Sequence, residues 1–310
     1  MGRVIALCIS EKKGTGKKEV TEINMVKDFG LEGDAHGGNW HRQVSILPLE
    51  EIESFREKGA EVSFGDFGEN VVCEGIDLKN MLVGTRVRIG GAVLKLTQIG
   101  KSCHTACNIS QKMGECIMPR EGCFFKVLQS GKVRPGDSIE ILGMDEDEPF
   151  TAAVITLSDK GFAGERADES GEILKSILEE DGYDVIEKLI LSDDKEPLKR
   201  ELMRLADQRQ VNVIFTTGGT GFSMRDNTPE ATEEVCDRMA TGIAEAIRYY
   251  SLQITPRAML SRGTSGIRKR TLIVNLPGSP KAVRESLEFV LPSLKHGLGI
   301  LRGSEGECAR

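Results

Sequence analysis

The second half of the chain contains a glycine-rich loop that directly follows an apolar run. Its sequence is TTGGTGFSMRDNTPEA, residues 216 to 231, and its core is formed by Gly218, Gly219, Thr220 and Gly221. Glycines in such a loop let backbone N–H groups approach an anion closely. No Gly-Lys-Ser/Thr triplet follows, so the loop is not a Walker A motif. A bare GGTG would indicate a plain turn, with the next aspartate helping to cap a helix. Four additional residues favour ligand binding: Arg225, Asp226, Thr228 and Pro229.

Two further loops carry groups that can bind a phosphorylated ligand. The segment LSRGTSGIRKR offers hydroxyl and guanidinium donors, which make charge-assisted hydrogen bonds in an otherwise acidic protein. Its candidate residues are Ser261, Arg262, Ser265 and Arg268. An exposed basic loop is the plainer interpretation of this segment. In LPGSPKA a strand turns into a helix whose N-terminus can hold an anion. Its candidate residues are Pro277, Gly278 and Ser279.

The first half holds a cluster of thiols in KSCHTACNI, residues 101 to 109. Cys103 and Cys107 flank His104, so this segment could form a zinc site, a disulfide, a reactive thiol or an inert buried turn. The spacing fits no standard zinc template, which disfavours zinc. A single cysteine is usually buried and unreactive, and we expect this of Cys8, Cys73 and Cys236. The loop with His36 and His41 can equally pack or bind a ligand.

Composition limits the classes of function. The chain has 310 residues, 39% of them hydrophobic and 29% charged, which is typical of a soluble globular protein with room for two domains. Its net charge of −7 argues against a general nucleic-acid-binding protein. No apolar run approaches the roughly 20 residues of a membrane-spanning helix. We therefore expect no nucleic-acid or membrane partner and a cytoplasmic location, where disulfides are disfavoured.

Alternating strands and helices must position the loops of the second half. TAAVITLS, DVIEKLIL, VNVIFTT and TLIVNLP are continuous apolar strands, separated by segments with helical periodicity. This pattern predicts an α/β three-layer sandwich with a mainly parallel sheet. Residues 228 to 250 are predicted to form one helix that begins at Thr228 as N-cap and Pro229 at the first position. Its inward residues would be Val235, Met239, Ile243 and Ile247.

The first half consists mainly of short β-rich runs separated by glycine turns. Gly90 and Gly91 join two such runs and indicate a hairpin. Many strands with few helices predict a mainly-β barrel. An acidic stretch, GMDEDEP, separates the halves and is typical of a solvated linker. We predict an N-terminal domain over 1–143, a linker over 144–149 and a C-terminal domain over 150–306.

The motifs of the second half resemble the molybdopterin adenylyltransferase (MogA/MoaB-like) family over residues 151 to about 303. The resemblance rests on TLSDKG, LSDD, TTGGTGFSMRDNTPEA, SRGTSGIR and LPGSPKA, in that order. It implies that Asp193 and Asp226 are catalytic and hold Mg²⁺, although Asp194 next to Asp193 is an alternative. Ser158 and Asp159 of TLSDKG join the candidate residues of the three loops as substrate-binding groups. The serines and arginines of SRGTSGIR would hold the pterin phosphate, and GGTG would face the nucleotide.

The resemblance implies transfer of AMP from ATP to the terminal phosphate of molybdopterin, with release of pyrophosphate. Molybdopterin and ATP would be substrates and Mg²⁺ the metal. A homo-oligomer, a trimer in this family, and a downstream molybdenum-insertion protein as partner are further implications. A non-catalytic protein that binds or carries molybdopterin or the molybdenum cofactor is the alternative, since catalytic and non-catalytic relatives share these loops.

The first half resembles a MOSC domain over residues 3 to 142. The supporting segments are GLEGDAHGGNWHRQVSIL, FGENVVCEGIDL, VGTRVRIGGAVLKLTQIGKSCH and VRPGD. Characterised MOSC domains use a cysteine after the long hairpin to carry sulfur or to bind molybdenum, two roles that suit a soft thiolate. Cys107 or Cys103 matches that position, and the aliphatic Ile109 close behind favours Cys107 slightly.

Overall fold

The computed structural model describes residues 1–101 and 116–303. The chain divides into two compact units, Met1–Asp145 and Glu146–Arg310. The division falls inside the acidic segment GMDEDEP. The predicted two-domain architecture is therefore confirmed, and each unit is described by itself below.

The N-terminal unit is built around a closed barrel of seven strands. The strands of this unit are β1 Gly2–Ile9, β2 Lys18–Val20, β3 Ile23–Val26, β4 Gly30–Leu31, β5 Val44–Pro48, β6 Val71–Glu74, β7 Arg86–Ile89, β8 Ala92–Ile99, β9 Cys123–Gln129, β10 Gly131–Val133 and β11 Ser138–Gly143. The barrel strands follow one another in the spatial order β11, β7, β8, β9, β5, β6 and β1, and β1 closes the barrel by pairing with β11. β2 extends the sheet beside β1, while β3 pairs with β4 and β10.

Alternation of side chains fills the barrel interior. In β8, Ala92, Leu94 and Leu96 are fully buried and alternate with partly exposed neighbours, as expected when successive residues point to opposite faces. The predicted hairpin at Gly90-Gly91 is confirmed, because Ile89 pairs with Ala92. Two helices, α1 Leu49–Glu57 and α2 Met118–Glu121, pack on the outside through a second apolar cluster that includes Phe55.

Polar side chains are also buried in the N-terminal unit. The Lys17 ammonium lies 2.5 Å from Oδ2 of Asp34, and both side chains are almost completely buried. Burial alone would raise the pKa of Asp34, but hydrogen bonds from His36 and Lys17 outweigh it and hold that pKa well below its usual range. Asn70 connects this pair to Ser45, because its amide donates to Asp34 and its carbonyl accepts from the Ser45 hydroxyl.

Glu69 is the most deeply buried carboxyl group of this region. Its Oε1 accepts a hydrogen bond of 2.7 Å from the Gly65 N–H, whereas Oε2 has no partner among the described groups. Burial raises the pKa of Glu69 to about 7. The side chain is therefore partly protonated near neutral pH. Its ionised form carries a negative charge on Oε2 that no hydrogen-bond donor among the described groups stabilises.

The C-terminal unit contains a six-stranded sheet. Its strands are β12 Thr151–Leu157, β13 Asp184–Leu191, β14 Val213–Thr217, β15 Arg238–Met239, β16 Ser265–Arg268 and β17 Thr271–Leu276. They are arranged in the order β13, β12, β14, β17, β16, β15; the strands from β13 to β17 are parallel to one another, and β16 and β15 are antiparallel additions at one edge.

Helices cover both faces of this sheet, because the parallel strands are apolar on both sides. The helices are α3 Asp159–Phe162, α4 Glu169–Glu180, α5 Lys195–Asp207, α6 Thr228–Val235, α7 Thr241–Leu252 and α8 Pro280–Arg302. α4, α7 and α8 pack on the face that contains Val154 and Val274, and α5 and α6 pack on the face that contains Ile155 and Ile273. A 3₁₀ helix spans Pro256–Leu260.

The prediction of one helix over residues 228 to 250 is wrong. α6 ends at Val235, β15 follows, and α7 begins only at Thr241. The interruption arises because Asp237 N–H donates to the Ile267 carbonyl and the segment pairs with β16 as an edge strand. Met239 is consequently exposed rather than inward. Asn227, not Thr228, is the residue that precedes the first turn of α6.

Among the described residues, no helix has the length and apolar character needed to cross a membrane.

The raised pKa of Glu69 predicts how stability depends on pH. An acid whose folded pKa lies above its unfolded value stabilises the fold at low pH and loses that contribution as pH rises through the folded pKa. From a usual value of 4.5 and a folded value of about 7, the N-terminal unit should lose about 2–3 kcal/mol of unfolding free energy between pH 5 and pH 8. Glu69→Gln should abolish this loss.

Urea unfolding of the full chain, followed by fluorescence of its single tryptophan, Trp40, measures this quantity in the N-terminal unit. The exposed Glu61 provides a matched control, and Glu61→Gln should keep the wild-type dependence on pH. A Glu69→Gln protein with an unchanged loss between pH 5 and pH 8 would contradict the assignment.

Candidate functional site

Four loops leave the C-terminal sheet at one edge and at nearly the same level. Leu157 pairs with Leu191, Thr156 with Thr217, and Thr217 with Leu276. The residues that follow these strand ends are therefore neighbours at the carboxyl edge of the sheet. Ligands bind in this position in open α/β sheets. The predicted residues that lie here are Ser158, Asp159, Asp193, Gly218, Gly219, Pro277, Gly278 and Ser279.

The glycine loop has a conformation that only glycine adopts without strain. Gly218 and Gly219 have φ values of 99° and 65°. A Cβ on Gly219 would overlap the Thr228 hydroxyl, and one on Gly218 would lie 2.5 Å from the Leu157 carbonyl. Thr228 closes the loop, since its hydroxyl donates to the Gly218 carbonyl and its N–H donates to the Gly219 carbonyl. Thr228 thus shapes the loop from within.

Arg262 holds the second part of the same loop. Its guanidinium donates to the Gly221 carbonyl at 2.7 Å and also to the Asp226 carbonyl and the Glu230 carboxylate. Its N–H donates to the Thr220 carbonyl. Arg262 was predicted to hold a substrate phosphate. In the structure each of its side-chain nitrogens donates to the loop or to Glu230, so Arg262 holds the loop in shape.

Four aspartates and one arginine form a polar cluster at this edge. Asp159 and Asp193 exchange hydrogen bonds of 3.0 Å, each backbone N–H donating to the carboxylate of the other. The Arg225 guanidinium binds both carboxylate oxygens of Asp159 and one of Asp194, at 2.7 to 3.2 Å. Asp226 accepts from the Ser223 N–H at 2.8 Å. The cluster carries more negative than positive charge.

The aspartates of the cluster have different pKa shifts. Burial raises the pKa of Asp193, and the negative charges of Asp159 and Asp226 add to the increase. Hydrogen bonds from the Asp193 N–H and the Arg225 side chain lower the pKa of Asp159. Asp226 is therefore close enough to interact with Asp193, and the positive charge of Arg225 offsets only part of the increase.

A pocket of about 210 Å³ opens beside this cluster. It is lined by the ends of β12 and β14, by the loop between α3 and α4, and by the segment before α8. The lining residues include Thr156, Ser158, Arg166, Asp168, Gly218 and Gly278. The Thr156 hydroxyl is buried and has no hydrogen-bond partner among the described residues. A buried hydroxyl without a partner is costly, so this group is available to a ligand.

Sequence reasoning missed a buried polar network beneath the edge. The Asn275 amide donates to the hydroxyls of Thr216 and Thr232 at 3.0 and 2.9 Å, and its carbonyl accepts from the Thr264 N–H. These residues join β14, β17, α6 and the loop before β16. Asn275 interrupts an otherwise apolar strand, and that was the one signal in the sequence. Arg166 and Asp168 in the pocket were missed because they belong to no glycine or basic motif.

The segment SRGTSGIR does not act as one unit. Ser265 is fully buried, and its hydroxyl donates to the Ala240 carbonyl. Arg268 was predicted to bind substrate, but it lies opposite Thr271 at the amino edge of the sheet. There it forms a bidentate pair with Asp207. β16 runs antiparallel to β17 and carries its last residues away from the site. Ser261 caps its own turn by accepting from the Gly263 N–H.

The thiols of the described residues are mostly unreactive. Burial raises the pKa of Cys8, Cys73 and Cys123 to about 12, which disfavours a reactive thiolate. Cys236, in the C-terminal unit, is partly buried with a pKa of about 11. The predicted thiol cluster, Cys103, His104 and Cys107, lies outside the described residues. Within the described ranges, no three His, Cys, Asp or Glu side chains are grouped to hold a metal ion.

Comparison with known proteins matches both halves of the chain. A family model described as "Probable molybdopterin binding domain" matches residues 153–296, and the MOSC domain model matches residues 32–140. Molybdopterin adenylyltransferase from Helicobacter pylori strain 26695 is 39% identical over 153 residues, which cover 49% of this chain and 87% of that protein. Molybdopterin adenylyltransferase from Haemophilus influenzae is 40% identical over 139 residues, 44% of this chain and 71% of that protein.

A solved structure, that of the molybdopterin biosynthesis enzyme MoaB from Thermus thermophilus, is 46% identical with a TM-score of 0.47. The match covers 50% of this chain and 97% of that chain. The curated relatives match the half that contains the glycine loop, the aspartate cluster and the pocket. The chain therefore belongs to the molybdopterin adenylyltransferase family through its C-terminal half, and its N-terminal half is a MOSC domain.

Proposed function

We propose that the C-terminal domain transfers AMP from ATP to the terminal phosphate of molybdopterin in the biosynthesis of the molybdenum cofactor. The observation that carries this proposal is the convergence of the glycine loop, the aspartate cluster and the pocket at one edge of the sheet. An adenylyl transfer needs these three parts: donors for phosphate oxygens, carboxylates for a divalent metal ion, and a recess for the rest of the acceptor.

The pocket suits the pterin ring system of the acceptor. It offers the unpartnered Thr156 hydroxyl and the Asp168 carboxylate, which already accepts from the Gly171 N–H and from Lys188. A carboxylate has about four acceptor positions, so Asp168 can also accept from the amino and ring N–H groups of a pterin. Gly218 and Gly278 also line the pocket, as does Ser158, which immediately precedes Asp159 of the cluster. The phosphate end of the acceptor would point toward that cluster.

Two carboxylates of the aspartate cluster are candidate ligands for an Mg²⁺ ion that arrives with the nucleotide. This ion is usually held by one or two carboxylates together with substrate phosphates. Burial and the negative charges of Asp159 and Asp226 raise the pKa of Asp193, so a nearby cation would stabilise its ionised form. We infer that Asp193 and Asp226 would hold the ion, with Asp159 fixing Asp193 through their reciprocal hydrogen bonds. Bound there, the metal would neutralise charge on the phosphates.

The reaction itself is an in-line displacement at phosphorus. An oxygen of the molybdopterin phosphate forms a bond to the α-phosphorus of ATP, and the bond from that phosphorus to the pyrophosphate oxygen breaks. Positioning and charge neutralisation provide most of the catalysis in such transfers. The glycine loop, shaped by Thr228 and held by Arg262, would present backbone N–H groups to the nucleotide. This rigid loop therefore contributes positioning.

We propose a separate role for the MOSC domain, which would bind the cofactor or its metal, or carry sulfur, through Cys107 or Cys103. The support is indirect. Three other cysteines of this domain, Cys8, Cys73 and Cys123, are buried with pKa values near 12 and are unsuited to a thiolate role. A soft thiolate suits both metal binding and sulfur transfer.

The direct test is incubation of the full chain with molybdopterin, ATP and Mg²⁺. Adenylylated molybdopterin and pyrophosphate should form in equal amounts, and removal of the metal with EDTA should stop the reaction. Chromatographic separation of the pterin products measures the outcome. Binding of molybdopterin with no pyrophosphate released would instead identify a binding or carrier protein.

Asp226→Asn should abolish adenylyl transfer while molybdopterin still binds. The substitution keeps the shape of the side chain and its acceptor for the Ser223 N–H, but it removes one of the two carboxylates proposed to hold the metal. We expect turnover to fall at least about 100-fold, as when other groups that stabilise charge in a transition state are removed.

Asp184→Asn is the matched control, because Asp184 is exposed at the start of β13, at the opposite edge of the sheet. Its turnover should equal that of the wild type. Full activity in the Asp226→Asn protein would remove Asp226 from the mechanism.

Replacement of the two candidate thiols should separate their roles. Cys107→Ser should lose retention of molybdenum or of transferable sulfur by the MOSC domain, whereas adenylyl transfer by the C-terminal domain should be unchanged. Metal analysis by mass spectrometry and sulfur analysis by cyanolysis measure retention. If Cys103→Ser, and not Cys107→Ser, causes the loss, the assignment between the two cysteines is reversed. Retention in both variants would contradict a role for either thiol.

A further inference from the structure

Arg248 holds the turn from which Arg262 reaches the glycine loop. This turn, residues 261–263, lies between the 3₁₀ helix and β16, and the Arg248 guanidinium donates to the Gly263 carbonyl at 2.6 Å. Gly263 is closely packed, since a Cβ on it would lie 3.3 Å from the Asn275 carbonyl oxygen. Arg248 is a partly buried residue of α7 and belongs to none of the motifs of this domain. A side chain of α7 therefore contacts the residue next to Arg262.

The turn contacts the glycine loop through both the backbone and the side chain of Arg262. The Arg262 N–H donates to the Thr220 carbonyl at 2.9 Å, and its guanidinium donates to the Gly221 and Asp226 carbonyls. Each carbonyl shares a rigid peptide plane with the N–H of the following residue. Fixing the carbonyls of Thr220 and Gly221 therefore also fixes the directions of the next two N–H groups of the loop. A shift of the turn would change those directions.

Ser265 sets the position of α7 relative to this turn. Its hydroxyl donates to the Ala240 carbonyl at 2.7 Å and accepts from the Ala244 N–H at 3.3 Å, and its carbonyl accepts from the Ala240 N–H. Ser265 is fully buried and pairs with Val274 in the sheet. The first turn of α7 is thus fixed to β16. Arg248 lies about one helical turn beyond Ala244, from where its side chain reaches back to the turn.

We propose that Arg248 is a positioning residue for the nucleotide. It acts through Gly263 and Arg262 on the glycine loop, so that the N–H groups of the loop already have their binding directions before ATP arrives. Donors that are ordered in advance lose less free energy on binding than donors that the ligand has to order. This inference rests on the proposed function for the identity of the nucleotide, whereas the support of the loop by Arg248 is a property of the fold.

Arg248→Met removes the guanidinium and keeps an unbranched side chain. In this variant the amide hydrogens of Thr228 and Arg262, which donate to carbonyls of the glycine loop, should exchange with solvent about 10-fold faster, because one hydrogen bond that restrains the loop is lost. The amide hydrogens of β14 and β17 should keep their wild-type rates, since a local opening leaves the central strands paired. Hydrogen exchange followed by nuclear magnetic resonance measures these rates on the full chain without any ligand.

The same variant should bind the nucleotide more weakly. Calorimetry should show that α,β-methylene-ATP with Mg²⁺ loses about 10-fold in affinity, because the ligand now has to order the loop. The KM for ATP should rise by a similar factor, while kcat and the KM for molybdopterin should change by less than about 2-fold, as expected when only binding of one substrate is weakened. Arg248→Lys should recover most of both effects, since the contact with Gly263 needs a single charged donor.

Arg284→Met is the matched control, because Arg284 is exposed on α8, which packs in the same layer as α7. It should match the wild type in both measurements.

Unchanged exchange at Thr228 and Arg262 in Arg248→Met, or unchanged affinity for the ATP analogue, would overturn the proposal. Equally faster exchange throughout the C-terminal unit would also overturn it, because that result indicates a residue that only stabilises the fold. If the wild-type chain forms no adenylylated molybdopterin, the proposed function fails. The exchange rates would still decide whether Arg248 supports the loop.

Discussion

The parallel register of β13, β12, β14 and β17 is the constraint on which the candidate site depends. Because Leu157, Leu191, Thr217 and Leu276 end their strands side by side, loops that are far apart in sequence begin next to one another. Apolar packing on both faces fixes that register, since a shift by one residue would exchange the residues that face the two helical layers. The buried Asn275 network adds a polar contact that is correct in only one register.

The arginines of the C-terminal unit show why charge alone does not define a site. Arg262 is committed to carbonyl groups and keeps the glycine loop in shape. Arg268 is committed to Asp207 at the other edge of the sheet. The Arg225 side chain is half exposed and contacts the carboxylates of Asp159 and Asp194. Three residues of the same type therefore differ in whether a ligand can engage them, and the difference lies in their partners.

The sequence predicted the fold better than it predicted the details of the site. Apolar runs and turn residues predicted the barrel strands, the Gly90-Gly91 hairpin and the alternating pattern of the second half. The break between α6 and α7 was missed because Val235, Met239, Ile243 and Ile247 repeat every four residues, as in a single amphipathic helix. Pairing of β15 with β16 interrupts the helix, and such pairing depends on contacts between residues distant in sequence.

The residues of the site could also be predicted only in part. Motifs located the glycine loop and the aspartates, because these residue types signal unusual backbone geometry or charge. They did not reveal Thr156, since a threonine in a buried strand has no distinctive pattern and only the three-dimensional arrangement shows that its hydroxyl lacks a partner.

Covalent connection of the two domains has a physical consequence if both bind the same pterin. A short tether turns encounter between two sites into an intramolecular event, with an effective concentration on the order of millimolar. The acidic segment GMDEDEP that joins the domains is only seven residues long. Such a tether matters most when the shared ligand is scarce and would otherwise diffuse away after leaving one site. If both sites bind the same phosphorylated pterin, the fusion would therefore favour transfer within one chain over release.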